Sequence, residues 1–111
     1  MTFCLETKII EPDNNEKIDN AVILLHGYGG DWTDISMLTL NWKWFLNNTI
    51  FLCPNGHQRC SINPSGYQWF DLSIDDEKYI TAEAVKAEII LNKFIEEVKK
   101  NYNILSSKIV L

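Results

Sequence analysis

The sequence lacks an excess of basic residues and lacks any long apolar run. It has 10 Lys and Arg against 15 Asp and Glu, a net charge of -5, which argues against nucleic acid or an anionic membrane surface as main partner. No stretch reaches the roughly 20 apolar residues that span a bilayer. The opening residues, MTFCLE, reach an acid before an apolar leader could form. We therefore expect no signal peptide and no integral membrane segment.

Cysteine is also scarce, since Cys4, Cys53 and Cys60 are the only three and cannot all pair within one chain. Unpaired thiols without a disulfide framework are typical of a reducing compartment. The sequence therefore predicts a cytoplasmic protein. A length of 111 residues with 46% hydrophobic content fits at most one globular domain.

Apolar segments alternate between two kinds of pattern along the chain. β-branched and apolar runs predict strands over residues 3–10, 21–25, 49–53 and from 108 onward. Apolar residues at three- and four-residue spacing predict helices over 34–46 (Ile35, Leu38, Trp42, Phe45) and about 81–102 (Val85, Ile89, Phe94, Ile95, Val98). The runs at 21–25 and 49–53 do not alternate, as in strands covered on both faces. These patterns predict an α/β fold with a mostly parallel sheet.

The run ILLHGYGGD, residues 23–31, ends a predicted strand in a histidine and three glycines. Such a turn brings backbone close to a phosphate, a metal or a substrate oxygen. Phosphate is rejected, because neither G-x-G-x-x-G nor Gly-Lys-Ser/Thr is present. The acidic Asp31 and Asp34 would also repel a phosphate.

A metal site could be drawn from Cys53, His57 and Cys60, with His26 as a fourth ligand. The spacing C-x3-H-x2-C is not a common zinc pattern, and no second ligand pair stands nearby. We therefore expect no metal and no cofactor.

An oxyanion hole is the third possibility for this turn. Acyl-transfer enzymes aim backbone N–H groups at the oxygen that becomes negative in the tetrahedral intermediate, and glycine permits the close approach. A tight strand-to-helix turn without a catalytic role is an equally good interpretation of this stretch alone.

Three motifs stand in order along the chain: Leu24-Leu25-His26-Gly27-Tyr28-Gly29-Gly30, then Phe51-Leu52-Cys53-Pro54-Asn55, then Gly66-Tyr67-Gln68-Trp69-Phe70-Asp71-Leu72. With them the chain resembles the N-terminal half of the phospholipase/carboxylesterase family of α/β-hydrolases, which includes acyl-protein thioesterases. The resemblance implies that residues 1–111 are a partial domain. It would be part of a three-layer α/β sandwich, truncated before the nucleophile elbow.

The resemblance also implies roles for single residues. The backbone N–H of Tyr28 would be the first oxyanion donor, and His26, Gly27 and Gly29 would shape its turn. Trp69 would border the substrate pocket. In this family the catalytic base comes late in the chain, so His26 is not expected to be the base.

The nucleophile motif is absent, because no glycine in the 111 residues is followed two positions later by serine. We expect the catalytic Ser, Asp and His beyond Leu111 and no activity from this chain alone. The implied substrate is an ester or thioester, as a small molecule or a lipid, once a complementary C-terminal polypeptide completes the enzyme. The alternatives are a non-catalytic acyl-binding or interaction module, or the remnant of a split gene.

Overall fold

The computed structural model describes residues 3–13 and 17–111. Along the chain its elements are strand β1 (Thr7–Ile10), strand β2 (Asn20–Ile23), helix α1 (Trp32–Ser36), helix α2 (Thr39–Trp42), strand β3 (Thr49–Pro54), strand β4 (Gln58–Arg59), strand β5 (Tyr67–Gln68), helix α3 (Glu77–Tyr102), a 3₁₀ turn (Ser106–Lys108) and strand β6 (Ile109–Val110).

Four of these strands form one sheet in the order β1-β3-β2-β6. Strand β2 pairs in parallel with both β3 and β6, and β1 is antiparallel to β3. Ala21 lies opposite Ile50 on one side and Ile109 on the other. The prediction of an α/β fold with a mostly parallel sheet is thus confirmed.

Helix α3 covers one face of this sheet. Ala21 and Ile23 of β2 point to that face together with Ile50 and Leu52 of β3, and all four are fully buried. Phe94 and Val98 of α3 pack on them in one cluster. Side chains alternate between the faces of a strand, so the residues between these four point the other way.

The opposite face packs on helix α1. Leu24, Phe51 and Cys53 are buried there, and Trp32 and Ile35 of α1 pack against them. Uninterrupted apolar strands are expected where a parallel sheet is covered on both faces. The sheet and the helices on its two faces therefore form three layers.

The predicted helix over residues 34–46 is wrong as a single element. Two short helices stand there, and Leu38, Trp42 and Phe45 of the expected buried face are exposed. Ser36 and Thr39 are buried instead, and each hydroxyl donates to a carbonyl oxygen three residues earlier, at 3.0 Å and 2.7 Å. Such side chain–backbone bonds bend and interrupt helices.

Helix α3 begins four residues earlier than the predicted residue 81. Asp76 is its N-cap, and its carboxylate accepts a hydrogen bond from the backbone N–H of Lys78. Asn103 closes the helix in the left-handed region, at φ 53°. The buried face consists of Ala87, Phe94 and Val98, so placing Val85 and Ile89 on it was wrong. In the described part of the chain no helix is long and apolar enough to cross a membrane.

Smaller differences concern the ends of strands and residues 57–80, for which no strand or helix was predicted. The first strand is confined to Thr7–Ile10, and β2 ends at Ile23 although Leu24 N–H still donates to the Leu52 carbonyl, at 2.9 Å. The stretch contains the short antiparallel pair β4 and β5, with Gln58 opposite Gln68.

Candidate active site

The segment between β2 and α1, residues 26–30, is called the glycine turn here. Gly29 has a φ of +80°, which a residue with a side chain rarely adopts. Gly30 N–H donates to the Gly27 carbonyl at 3.1 Å and closes the turn. Asp31 then caps α1 by accepting from the N–H groups of Thr33 and Asp34. Gly29 is therefore required by the reversal of the chain between strand and helix.

Strand β5 fixes the glycine turn through backbone hydrogen bonds. Gly29 N–H donates to the Tyr67 carbonyl at 3.0 Å, and Tyr67 N–H donates back to the Gly30 carbonyl at 2.8 Å. At Gly66 an added Cβ would collide with the Gly29 carbonyl oxygen. The backbones of the two segments are therefore in direct contact. The third motif, which begins at Gly66, packs on the first motif, which contains the glycine turn.

His26 is buried and uses both ring nitrogens for structure. Its Nε2 accepts from the backbone N–H of Gly56 at 2.8 Å, so Nδ1 carries the proton and donates to the Gly27 carbonyl at 2.7 Å. This tautomer follows from the contacts. A histidine whose nitrogens both have backbone partners fixes the ends of β2 and β3 and has no nitrogen left to accept a substrate proton.

Trp69 reaches the same histidine from the third motif. Its indole Nε1–H donates to the His26 carbonyl oxygen at 3.1 Å, and the two rings stack with centroids 5.3 Å apart. Trp69 also lines a small cavity of about 90 Å³ beside the glycine turn. The other lining residues are His26, Gly27, Tyr28, Phe70 and Leu72.

Tyr28 lines this cavity, and its backbone N–H is the donor that the sequence predicted. Within residues 3–13 and 17–111 it has no hydrogen-bond acceptor, whereas the N–H groups of Gly29 and Gly30 both have one. Unpaired backbone donors are uncommon in folded proteins unless water or a ligand meets them. The predicted donor, its supporting turn and the predicted pocket residue Trp69 are therefore brought together.

The Tyr28 side chain points to a cluster of oxygen atoms around Asp71. The phenol donates to Asp71 Oδ1 at 2.9 Å and lies 3.4 Å from Ser61 Oγ. Contact with Ser61 lowers the pKa of the phenol, but desolvation and the hydrogen bond to Asp71 outweigh it and leave the pKa raised. The phenol is therefore a neutral donor to the carboxylate.

Asp71 accepts four hydrogen bonds. The Ser73 hydroxyl and N–H donate to Oδ1 at 2.6 Å and 2.9 Å, the Ser61 hydroxyl donates to Oδ2 at 2.9 Å, and Tyr28 supplies the fourth. The bonds from Ser73, with smaller contributions from Tyr28 and Ser61, lower the Asp71 pKa to about 2. The carboxylate thus ties the glycine turn to the loop of the third motif.

Sequence reasoning missed two supporting residues of this region. Asn55 is buried, and its Oδ1 accepts from the N–H of Trp32 at 2.8 Å, which fixes the start of α1. Gly56 leaves no room for a side chain, because a Cβ there would collide with the Gln68 carbonyl oxygen. Asn55 ends the second motif and Gly56 follows it, but neither residue was assigned a role there.

The residues considered for a metal do not converge. Among the described residues, no three His, Cys, Asp or Glu side chains are grouped so that they could hold an ion. Cys53 is buried in the sheet face that packs on α1, and burial raises the pKa of its thiol to about 11. His26 is engaged by Gly27 and Gly56.

Comparison with known proteins places this site in a larger fold. A crystal structure of an esterase, PE8, superimposes with a TM-score of 0.85 at 29% sequence identity. The match covers 95% of this chain and 49% of the esterase, so the chain spans about half the length of that enzyme. The family model described as phospholipase/carboxylesterase matches residues 6–111, which include all three motifs. The chain belongs to the phospholipase/carboxylesterase family.

Proposed function

We propose that this chain supplies the first oxyanion-hole donor, the backbone N–H of Tyr28, to a serine hydrolase of carboxylic esters or thioesters. The nucleophilic serine and its Asp and His partners would be supplied from outside these 111 residues. The supporting observation is that Tyr28 lines a cavity and its N–H has no acceptor among the described residues, while the turn around it is held by hydrogen bonds.

The chemistry follows from what that donor can stabilise. A serine Oγ attacks the carbonyl carbon, its proton passes to a base, and the carbonyl oxygen becomes negative. A donor that is already fixed in place stabilises this oxygen without reorganising during the step. His26, Gly29 and the Asp71 cluster hold the turn in its shape, and they are positioning groups in this scheme.

The cavity suggests where the acyl group would lie. Trp69, Phe70 and Leu72 supply apolar lining, and Tyr28 lines the same cavity. A volume of about 90 Å³ equals the liquid volume of roughly three water molecules. A short acyl chain fits this part of the pocket.

The isolated chain provides the first test. Purified protein incubated with a nitrophenyl butyrate and a fluorophosphonate probe is expected to show neither turnover nor labelling, because loss of the triad nucleophile costs on the order of a millionfold in kcat. Labelling of a folded, homogeneous sample would show that the chain carries its own nucleophile and would contradict the proposal.

A fusion tests Tyr28 itself. Residues 1–111 are joined to the half of esterase PE8 that the match leaves out, and hydrolysis is measured. Tyr28→Pro removes the N–H and should lower kcat by about 10²- to 10³-fold, as loss of one oxyanion donor does. Tyr28→Phe keeps the N–H and is the matched control, expected within a few-fold of the parent. Equal activity of both variants would show that Tyr28 is not the donor.

A second candidate is a non-catalytic module that binds acyl groups in the same cavity. The apolar lining of that cavity by Trp69, Phe70 and Leu72 favours it. A fusion that folds, binds a fatty acid and hydrolyses nothing would support this candidate over the hydrolase.

A further inference from the structure

Two enclosed polar atoms, one in the loop after β3 and one in helix α3, have no hydrogen bond. They are Nδ1 of His57 and Oε2 of Glu83, and neither has a partner among the residues that the structure describes. Buried polar side-chain atoms are nearly always hydrogen-bonded, so each exception needs an explanation. Leaving such an atom away from water without a partner is costly.

The two side chains act on each other. The Glu83 carboxylate favours the charged form of the His57 imidazole, whereas the Lys86 ammonium opposes it. Oε1 of Glu83 lies 3.5 Å from Lys86 Nζ, so Oε2 is the oxygen that is left without a partner. An ionised carboxylate only accepts hydrogen bonds, and an imidazole nitrogen that carries a proton donates one. The two unpaired atoms are therefore a matching acceptor and donor.

His57 lies next to a wall of the candidate cavity. Its ring centroid is 6.4 Å from that of Trp69, with 45° between the ring planes. Trp69 lines the cavity and also stacks on His26. Both imidazole rings are thus neighbours of the same indole. His26 has backbone partners for both ring nitrogens, whereas Nδ1 of His57 has none in the described part of the chain.

Burial favours the neutral form of His57. Desolvation is the largest influence on its pKa and lowers it from the ordinary 6.5, and this effect outweighs the attraction of Glu83. A neutral imidazole carries one proton, and the hydrogen bonds of its two nitrogens decide which of them holds it. A proton on Nδ1 would satisfy both enclosed atoms with one hydrogen bond.

We propose that Glu83 positions the His57 ring by accepting a hydrogen bond from Nδ1–H, directly or through one water molecule, and that this pair supports Trp69 at the wall of the cavity. Both are positioning residues, because neither lines the cavity. The pair belongs to the chain by itself, so it does not depend on ester hydrolysis.

The pair also makes this region sensitive to acid. The charged groups that act on His57 are Glu83 and Lys86, and the neighbouring His26 ring is bonded to backbone on both sides. Because the folded chain favours neutral His57, the stability that this residue contributes is complete above about pH 6.5 and is lost as the pH falls below that value. The support of Trp69 should weaken over the same range.

Nitrogen NMR of the chain tests the tautomer. The chain has only two histidines, and the signals that disappear in His57→Gln belong to His57. Long-range proton–nitrogen spectra at neutral pH should show the His57 proton on Nδ1. A proton on Nε2 would leave Nδ1 unable to donate to Glu83 and would overturn the proposal.

Substitutions of Glu83 test the partner. Glu83→Ala removes the acceptor, and His57 should then lose its preference for the proton on Nδ1. Glu83→Gln keeps an acceptor oxygen but loses the charge, so the tautomer should remain while the pKa of His57 falls further. Glu88→Ala, at an exposed position of the same helix, is the matched control and should change neither. An unchanged tautomer in Glu83→Ala would show that Glu83 is not the partner.

The link to the cavity wall has a separate readout. The indole N–H of Trp69 donates to the His26 carbonyl oxygen at 3.1 Å, and its signal is the one that Trp69→Phe removes. Glu83→Ala should speed its hydrogen exchange roughly two- to tenfold, as the loss of one hydrogen bond does, and Glu88→Ala should not. Unchanged exchange would show that the pair does not support Trp69.

The design covers a variant that does not fold. Circular dichroism identifies such a variant, and the tautomer of the parent chain together with the pKa of His57 in Glu83→Gln then decides the outcome. A His57 pKa that is the same in Glu83→Gln and in the parent chain would contradict the pairing. None of these measurements involves hydrolysis, so this proposal and the proposed function can fail independently.

Discussion

The glycine turn and the apolar groove both border strand β2, yet their side chains have different surroundings. The apolar groove is the open cavity lined by Val22, Trp42, Phe45, Leu46 and Val110. In the turn, His26, Gly29 and Gly30 bond to backbone groups of neighbouring segments, and close approach at Gly66 excludes any side chain. In the groove, large apolar side chains meet open space. The difference teaches that hydrogen bonds between segments fix the glycine turn, whereas the large apolar side chains around α2 remain exposed.

The largest expected effect compares two phenylalanines on the two faces of the fold. Phe94 is fully buried against the sheet and Phe45 is 82% exposed. Phe94→Ala should lower the free energy of unfolding by about 3–5 kcal/mol, whereas Phe45→Ala should change it by about 0.5 kcal/mol or less. Urea unfolding of the isolated chain measures both. A large loss from Phe45→Ala would show that the groove is already packed in the free chain.

The next effect concerns two glycines near the turn. Gly66→Ala places a Cβ against the Gly29 carbonyl oxygen, and we expect a loss of about 1–3 kcal/mol in the free energy of unfolding, as for overpacking. Gly27→Ala is the control, because nothing lies within 4 Å of its added Cβ. In thermal melts, the melting temperature of Gly66→Ala should be clearly lower than that of Gly27→Ala. Coinciding melts would mean that the two segments are not in close contact in solution.

The smallest effect depends on pH and on Asp71. Its pKa falls from the ordinary 3.8 to about 2 in the folded chain. A lowered folded-state pKa adds stability above about pH 4, and this contribution disappears as pH falls toward 2. Asp71→Asn should therefore lower the urea midpoint at pH 7 and match the parent near pH 2. Asp75→Asn, at an exposed side chain, is the control at pH 7 and should have the urea midpoint of the parent chain.

The strands and the three motifs could be predicted because their signals are local. Uninterrupted apolar runs predicted β2 and β3, and His26-Gly27 together with Trp69-Phe70-Asp71 indicated the family. The helix over residues 34–46 could not be predicted from spacing alone. Periodicity assumes that the apolar side of a helix is buried, whereas here Ser36 and Thr39 are buried and Phe45 is exposed.

Contacts between distant segments could not be predicted from the sequence either. Nothing local indicates that His26 accepts from Gly56 or that Tyr28 donates to Asp71, because both contacts depend on how three loops meet. The start of α3 was missed for a simpler reason. Asp76 is an N-cap residue type, but the helix was predicted to begin only at about residue 81.

The capping of α1 has a consequence for how an oxyanion would be stabilised. Asp31 and Asp34 place two carboxylates at the helix N-terminus directly after the glycine turn, where they satisfy the helix's own donors. A helix start so occupied offers no long-range attraction to a second negative charge. Stabilisation would come from a hydrogen bond of about 3 Å, well inside the Debye length of about 8 Å at physiological salt. Ester hydrolysis by a completed enzyme should then be nearly insensitive to ionic strength.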